Sequence, residues 1–156
     1  MKITKKFKFE LAHRLVDSYS KKCQSFHGHS YTAEVTLKGE SLDGTGMLMD
    51  FGEVKDKFSW IIDAWDHSLM LWDKDPVCQE MLSINQRIKG RFIIVDYNPT
   101  AENMAHHLYR ELVKAKLPVK DVLVRETLTG WAVANKPSPL TGLRVVYHNI
   151  EEARDA

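Results

Sequence analysis

His27-Gly28-His29-Ser30-Tyr31-Thr32-Ala33-Glu34-Val35-Thr36-Leu37 decides the fold. The odd positions carry histidine, tyrosine and aliphatic residues, while Ser30, Thr32, Glu34 and Thr36 fill the even ones. This period of two is the pattern of a half-buried strand. An earlier stretch repeats it: Ile3, Phe7, Phe9 and Leu11 share one parity, Lys6, Lys8 and Glu10 the other, and His13 continues the apolar one. Antiparallel pairing through the loop of residues 14–26 brings His13 beside His27 and His29. A single histidine on an apolar parity is ordinarily a hydrogen-bonded core residue. Three that converge point to a metal site, and nitrogen-only ligation with a fourth position open favours zinc. The Gly28 spacer permits close approach of backbone or ligand.

Further along, Gly39 and Gly44-Thr45-Gly46 break the second strand. Asp50 and Glu53 have capping-box spacing, and Phe51, Val54, Phe58, Ile61, Ile62 and Trp65 keep helical periodicity, so a helix is expected to end near Asp66-His67. A second helix is expected from Thr100 as N-cap to about Lys116, ahead of Pro118. Strands are expected over Val119–Thr127 and from Gly130 to Ala134. Residues 70–98 form a long connection in which Arg91–Val95 can make a short strand. Residues 135–156 form a tail with a strand-like Leu143–Tyr147 and a loose charged end, Glu151–Ala156. The expectation is therefore one α+β domain over 1–156, in ββααββ order, with a core over about 3–134.

The bulk numbers are those of a soluble globular protein: 156 residues, 44% hydrophobic and 28% charged. Lys plus Arg (22) against Asp plus Glu (21) gives a net charge of +1, which offers no global attraction to nucleic acid or an anionic membrane. Neither a signal peptide nor a membrane span is visible, so a cytoplasmic location is expected. Two cysteines make no disulfide framework. Cys78 reads as a small buried hydrophobe. Cys23 stands in the polar run Tyr19–Ser25, where a hydrophobe has no packing reason to be. Lys21, Lys22 and a nearby cation would favour its thiolate, suiting it to proton abstraction or nucleophilic attack.

Asp66-His67 reads either as a proton relay or as a polar helix end. Glu126 shares the parity of Val122 and Val124, so its carboxylate needs a partner: an amino-pyrimidinone edge or a structural cation. His106, His107 and His148 carry no spacing signal and read as structural or surface residues.

Six ordered motifs then carry a resemblance. They are Phe9-Glu10-Leu11-Ala12-His13-Arg14, Cys23-x-x-x-His27-Gly28-His29, Met49-Asp50-Phe51-Gly52, Asp66-His67, Pro99-Thr100-Ala101-Glu102-Asn103 and Val124-Arg125-Glu126-Thr127. Over roughly residues 3–134 the chain resembles the 6-pyruvoyltetrahydropterin synthase / 6-carboxytetrahydropterin synthase family. That resemblance implies a tunnelling (T-)fold subunit with a four-stranded antiparallel sheet and two helices on one face. It implies a homohexamer built as a dimer of trimers, with active sites at subunit interfaces, and 7,8-dihydroneopterin triphosphate as substrate. By position it makes His13, His27 and His29 the zinc ligands and Cys23 the proton acceptor. It makes Asp66 and His67 that cysteine's tuning or relay pair, Glu126 the pterin anchor and relay member, and Thr100 a further pterin contact.

The chain departs from the family pattern in the Gln24-Ser25-Phe26 spacer, which lacks a basic residue, so Lys21, Lys22, Arg14 and Arg125 become the candidates for holding triphosphate. It departs again at Ser68-Leu69-Met70-Leu71, in the long connection and in the tail. The expected activity is that of a zinc-dependent lyase of the 6-carboxy-5,6,7,8-tetrahydropterin synthase type, releasing triphosphate and acetaldehyde in queuosine precursor formation. The rival activity is 6-pyruvoyltetrahydropterin synthesis on the biopterin route. The rival of another class is a non-catalytic pterin- or metal-binding module.

Overall fold

Strands β1 (Lys2–His13) and β2 (His27–Lys38) pair antiparallel along their whole length, setting Phe9 opposite Tyr31 and His13 opposite His27. The computed structural model describes residues 1–136 and 143–153. The remaining elements are α1 (Lys21–Gln24), α2 (Phe51–Trp65), β3 (Ser68–Trp72), α3 (Cys78–Ile88), β4 (Phe92–Val95), α4 (Ala101–Lys114), β5 (Val119–Thr127), β6 (Gly130–Ala134) and β7 (Val145–His148). All seven strands join one sheet in the order β6-β5-β2-β1-β3-β4-β7.

The expected four-stranded antiparallel sheet is present as β6-β5-β2-β1, but it is only part of the whole. Beyond β1 the sheet becomes mixed: β3 and β4 run parallel, and β7 returns antiparallel on β4. The expectation of two helices on one face is corrected in the same way. Helices α2 and α4 cover one face, while α3 covers a small second core of Leu71, Cys78, Phe92 and Ile94. The physical reason is that β3 and β4 are short runs with apolar residues on both parities. Strands of that kind need cover on both faces, and the crossover between two parallel strands supplies it as a helix. Cys78 is buried there, as expected.

Where the periodicity is strong, the elements fall as expected. Asp50 caps α2, its Oδ1 accepting from the Gly52 amide at 2.6 Å and the Glu53 amide at 3.4 Å. Thr100 caps α4 through Asn103 N at 3.3 Å. Phe9 lies between Tyr31, stacked at 5.2 Å, and Trp65, edge-on at 5.7 Å, and all three are fully buried. Beneath them His107 is bonded to the Tyr97 hydroxyl at 2.6 Å in the core, which bears out its structural reading. Of the tail expected to be loose, residues 154–156 lie outside the described ones. Glu152, by contrast, pairs with Arg91 at 3.2 Å. No helix among the described residues is long and apolar enough to cross a membrane.

Burial pushes the His107 pKa down to about 3, from 6.5, with Lys114 and Arg110 acting in the same direction. The unfolded ring gains its proton near 6.5 and the folded ring only near 3. Its contribution to stability is therefore complete above the first value and is lost as the pH falls toward the second. Replacing His107 with Gln is expected to flatten the fall in urea-unfolding free energy between about pH 7 and pH 4. An unchanged slope would mean that the folded ring is already charged or solvated.

Candidate active site

The β1–β2 register builds a cluster of three histidines that could hold a metal ion. His13 and His27 are direct cross-strand partners, and His29 follows two residues along β2 on the same face. Their ligand atoms all lie within 4.8 Å of one another. Gly28 lets the strands close up: a Cβ there would stand 3.2 Å from the Leu11 carbonyl oxygen, tighter than side chains normally allow.

Two carbonyl oxygens fix the rings. His13 Nδ1 donates to Pro99 O at 2.8 Å and His27 Nδ1 donates to Ser25 O at 2.8 Å. A carbonyl only accepts, so in the neutral rings both protons sit on Nδ1 and both Nε2 atoms present lone pairs. Those two atoms face each other at 3.1 Å. The Tyr31 hydroxyl, 3.2 Å from His13 Nε2, gives its proton to Glu126 Oε1 at 3.1 Å. The buried His13 Nε2 thus faces acceptors on two sides and no donor. A cation resolves the arrangement, and tetrahedral zinc holds its nitrogens about 3.3 Å apart. The three histidines therefore fit a bound metal ion.

The electrostatics agree. Desolvation lowers the His13 pKa to about 4 despite its bond to Pro99, with His27 and His29 pushing the same way. Desolvation also lowers that of His29, against the pull of Glu126. Neutral rings are the form that ligates. Burial and then Glu126 raise the Tyr31 phenol well above its ordinary value, so it remains a hydrogen-bond donor.

Glu126 and Thr100 line one cavity of about 570 Å³ together with the Leu15–Tyr19 loop. Asn98 secures that loop, accepting from Val16 N at 3.1 Å and donating to Val16 O at 2.9 Å. Asn103 in turn holds the Asn98 carbonyl at 2.9 Å. Asn98, Pro99 and Tyr31 are site residues that sequence reasoning missed. The only available signal was the Asn-Pro turn ahead of α4. Cys23 lies half-buried on α1, whose end is tied to the loop after β1 by Leu15 N donating to Cys23 O at 2.8 Å. It is not part of the cavity lining.

Asp66 and His67 stand elsewhere. Their Oδ2 and Nδ1 are 2.9 Å apart, and Glu10 N donates to Asp66 Oδ1 at 2.7 Å. His67 lines a second cavity of about 560 Å³, walled by Glu10, Ala12, Gly28 and Ser30 and also by His29 of the trio. Among the described residues no hydrogen bond ties Asp66 or His67 to Cys23, Glu126 or the three histidines.

This sheet-and-helix arrangement is shared with the solved 6-pyruvoyl tetrahydropterin synthase of Caenorhabditis elegans. That match has a TM-score of 0.63 at 24% identity, over 87% of this chain and 95% of that one, and places the subunit among the T-folds. The family model described as 6-pyruvoyl tetrahydropterin synthase matches residues 2–137. The 6-carboxy-5,6,7,8-tetrahydropterin synthase of Rickettsia bellii is 36% identical over 117 residues, covering 72% of this chain and 80% of the relative. The enzyme of the same name from Rickettsia conorii is 38% identical over 114 residues, with the same coverages. The chain belongs to the 6-pyruvoyl tetrahydropterin synthase family.

If the trio ligates as its geometry suggests, zinc titrated into chelator-treated protein binds once per chain and raises the thermal midpoint. Binding to the folded form adds about 2.7 kcal/mol at a hundredfold excess over Kd. His27→Ala is expected to abolish that shift. A midpoint indifferent to zinc and to chelator would count against the site.

Proposed function

We propose that this chain is a zinc-dependent 6-carboxy-5,6,7,8-tetrahydropterin synthase acting on 7,8-dihydroneopterin triphosphate, with loss of triphosphate and acetaldehyde. The observation that carries the reading is the pairing of two back-bonded Nε2 lone pairs with a carboxylate reached through Tyr31 on the same face. The names of the Rickettsia relatives supply the branch.

Zinc on His13, His27 and His29 would act as a Lewis acid toward the side-chain hydroxyls, lowering the cost of removing the neighbouring proton. Glu126, fixed by the Tyr31 hydroxyl at 3.1 Å, accepts two hydrogen bonds from the amino-pyrimidinone edge of the pterin. Thr100 keeps its hydroxyl proton free while capping α4, and offers it to the ring. Cys23 takes the side-chain proton as the general base.

Triphosphate falls to Lys21 and Lys22 on the exposed helix α1. The other candidates are engaged. Arg14 Nε stands 3.1 Å from the buried carboxylate of Asp75, and the guanidinium of Arg125 lies 4.4 Å over the Trp131 ring while donating to Leu128 O at 3.3 Å.

No hydrogen bond among the described residues ties the Asp66–His67 pair to Cys23, so the relay is completed by a second copy that presents its own pair to Cys23. Open strand edges give the assembly a motive. Strand β3 covers β1 only at Leu11–His13, which leaves the Lys2–Glu10 side without a partner strand among the described residues. The outer side of β6 is equally open among them.

Incubating the zinc-loaded protein with 7,8-dihydroneopterin triphosphate is expected to yield the 6-carboxy product and acetaldehyde. A pyruvoyl product accumulating without acetaldehyde would overturn the assignment. Cys23→Ala should keep zinc and pterin binding while losing about 10²–10⁴-fold in turnover. Mixing and reassembling inactive Cys23→Ala and His67→Ala chains is expected to restore about a quarter of wild-type turnover, the share of sites pairing two intact residues. No recovery would place both groups in one chain.

A further inference from the structure

The C-terminus of α2 has no basic residue in its own last turn, so its carbonyl groups need partners from elsewhere. Arg91, immediately ahead of β4, supplies them. Its Nη2 donates to Asp63 O at 2.6 Å and to Ala64 O at 3.4 Å, and its Nε donates to Asp66 O at 3.2 Å. The last of these is the carbonyl of the residue whose carboxylate holds the His67 ring.

His67 follows in the left-handed region at φ 56°, a backbone state with a cost for a residue that has a Cβ. Its amide donates to Glu10 O at 2.6 Å. Two bonds to Glu10 and the guanidinium fork thus hold the Asp66–His67 corner from opposite sides. The charge matters as well. Desolvation pulls the Asp66 carboxyl upward, while the Glu10 amide, the His67 ring and the Arg91 cation together hold it below the ordinary carboxylate range.

Arg91 is itself held from the tail. Glu152 Oε2 accepts from Arg91 Nη1 at 3.2 Å, and Asn149 Nδ2 donates to the carbonyl of neighbouring Gly90 at 3.0 Å. Strand β7 fixes both, pairing His148 with Phe92 and burying Ile150 in the main core. All of these tail residues lie beyond residue 137, where the family model ends.

We infer that Arg91 is a positioning residue for the Asp66–His67 pair, and that the C-terminal segment 143–153 acts as a strap that sets Arg91 through Glu152. The inference rests on the proposed role of His67 in proton transfer. Arg91 works at a distance from substrate by fixing the peptide and the carboxylate that orient the imidazole. With Nδ1 protonated and bonded to Asp66, His67 turns Nε2 outward into its cavity as the proton-accepting atom.

Arg91→Met tests this with two readouts. Long-range proton–nitrogen NMR of the His67 ring is expected to show one Nδ1-protonated tautomer in the wild type and a mixture in the variant. Turnover of 7,8-dihydroneopterin triphosphate is expected to fall about 10–100-fold in kcat with KM unchanged, as for a misplaced catalytic group. Glu152→Gln, which removes one charge from the surface and keeps the packing, is expected to lower kcat about threefold at an unchanged thermal midpoint. Arg91→Met with a wild-type His67 spectrum would overturn the inference. So would a raised KM at constant kcat, because Arg91 would then be touching substrate. A Glu152→Gln protein identical to wild type would remove the strap from the device. If the wild type fails to turn over this substrate, the proposed function falls, while the tautomer comparison still decides the role of Arg91.

Discussion

The register of β1 against β2 is the constraint on which everything else depends. With His13 opposite His27, the apolar parity of both strands faces α2 and α4, and the trio of rings meets at the end of the hairpin. A slip of one residue would turn one strand's histidines and apolar residues to the other face, so core and site are specified by the same pairing. Hydrophobic burial at Phe9, Tyr31 and Val35 thereby supplies the placement that three imidazoles could not enforce on their own.

The same alternation distributes the site residues of β2. Odd positions carry the histidine rings, while Gly28 and Ser30 at even positions join His29 in walling the cavity that His67 lines. The Asp66–His67 pair is bonded to the backbone of Glu10 in the very strand that ends in His13, so β1 links that pair to the histidine cluster.

Much of this was legible in the sequence wherever one face of an element is wet. The alternation of 27–37, the Asp50 and Thr100 caps and the valine parity of β5 mark their elements because burial on one side leaves a periodic trace. Ser68–Trp72 left no such trace, since it packs on both faces. Helix α3 was hidden for a related reason: it buries only Cys78 and Asn85 and covers a small patch, so its apolar stripe is thin. The convergence of the histidines could be read from parity alone. The location of Asp66–His67 could not, because it depends on which side of the sheet α2 returns to β3.

The hydrogen bonds around His13 are what turn this geometry into a preference for a ligand. Pro99 takes the Nδ1 proton and Glu126 takes the Tyr31 proton, so the atoms crowding His13 Nε2 are all acceptors. An acceptor buried without a donor costs about 1–3 kcal/mol, and protonating the ring in this desolvated position costs more. The fold carries that cost at the end of the β1–β2 hairpin, where the Pro99 carbonyl holds Nδ1 and the Tyr31 ring packs edge-on at 5.9 Å. A small cation that accepts lone pairs would relieve that cost. The fit of this cluster to a metal ion therefore rests on second-layer hydrogen bonds that leave the Nε2 lone pairs of His13 and His27 free.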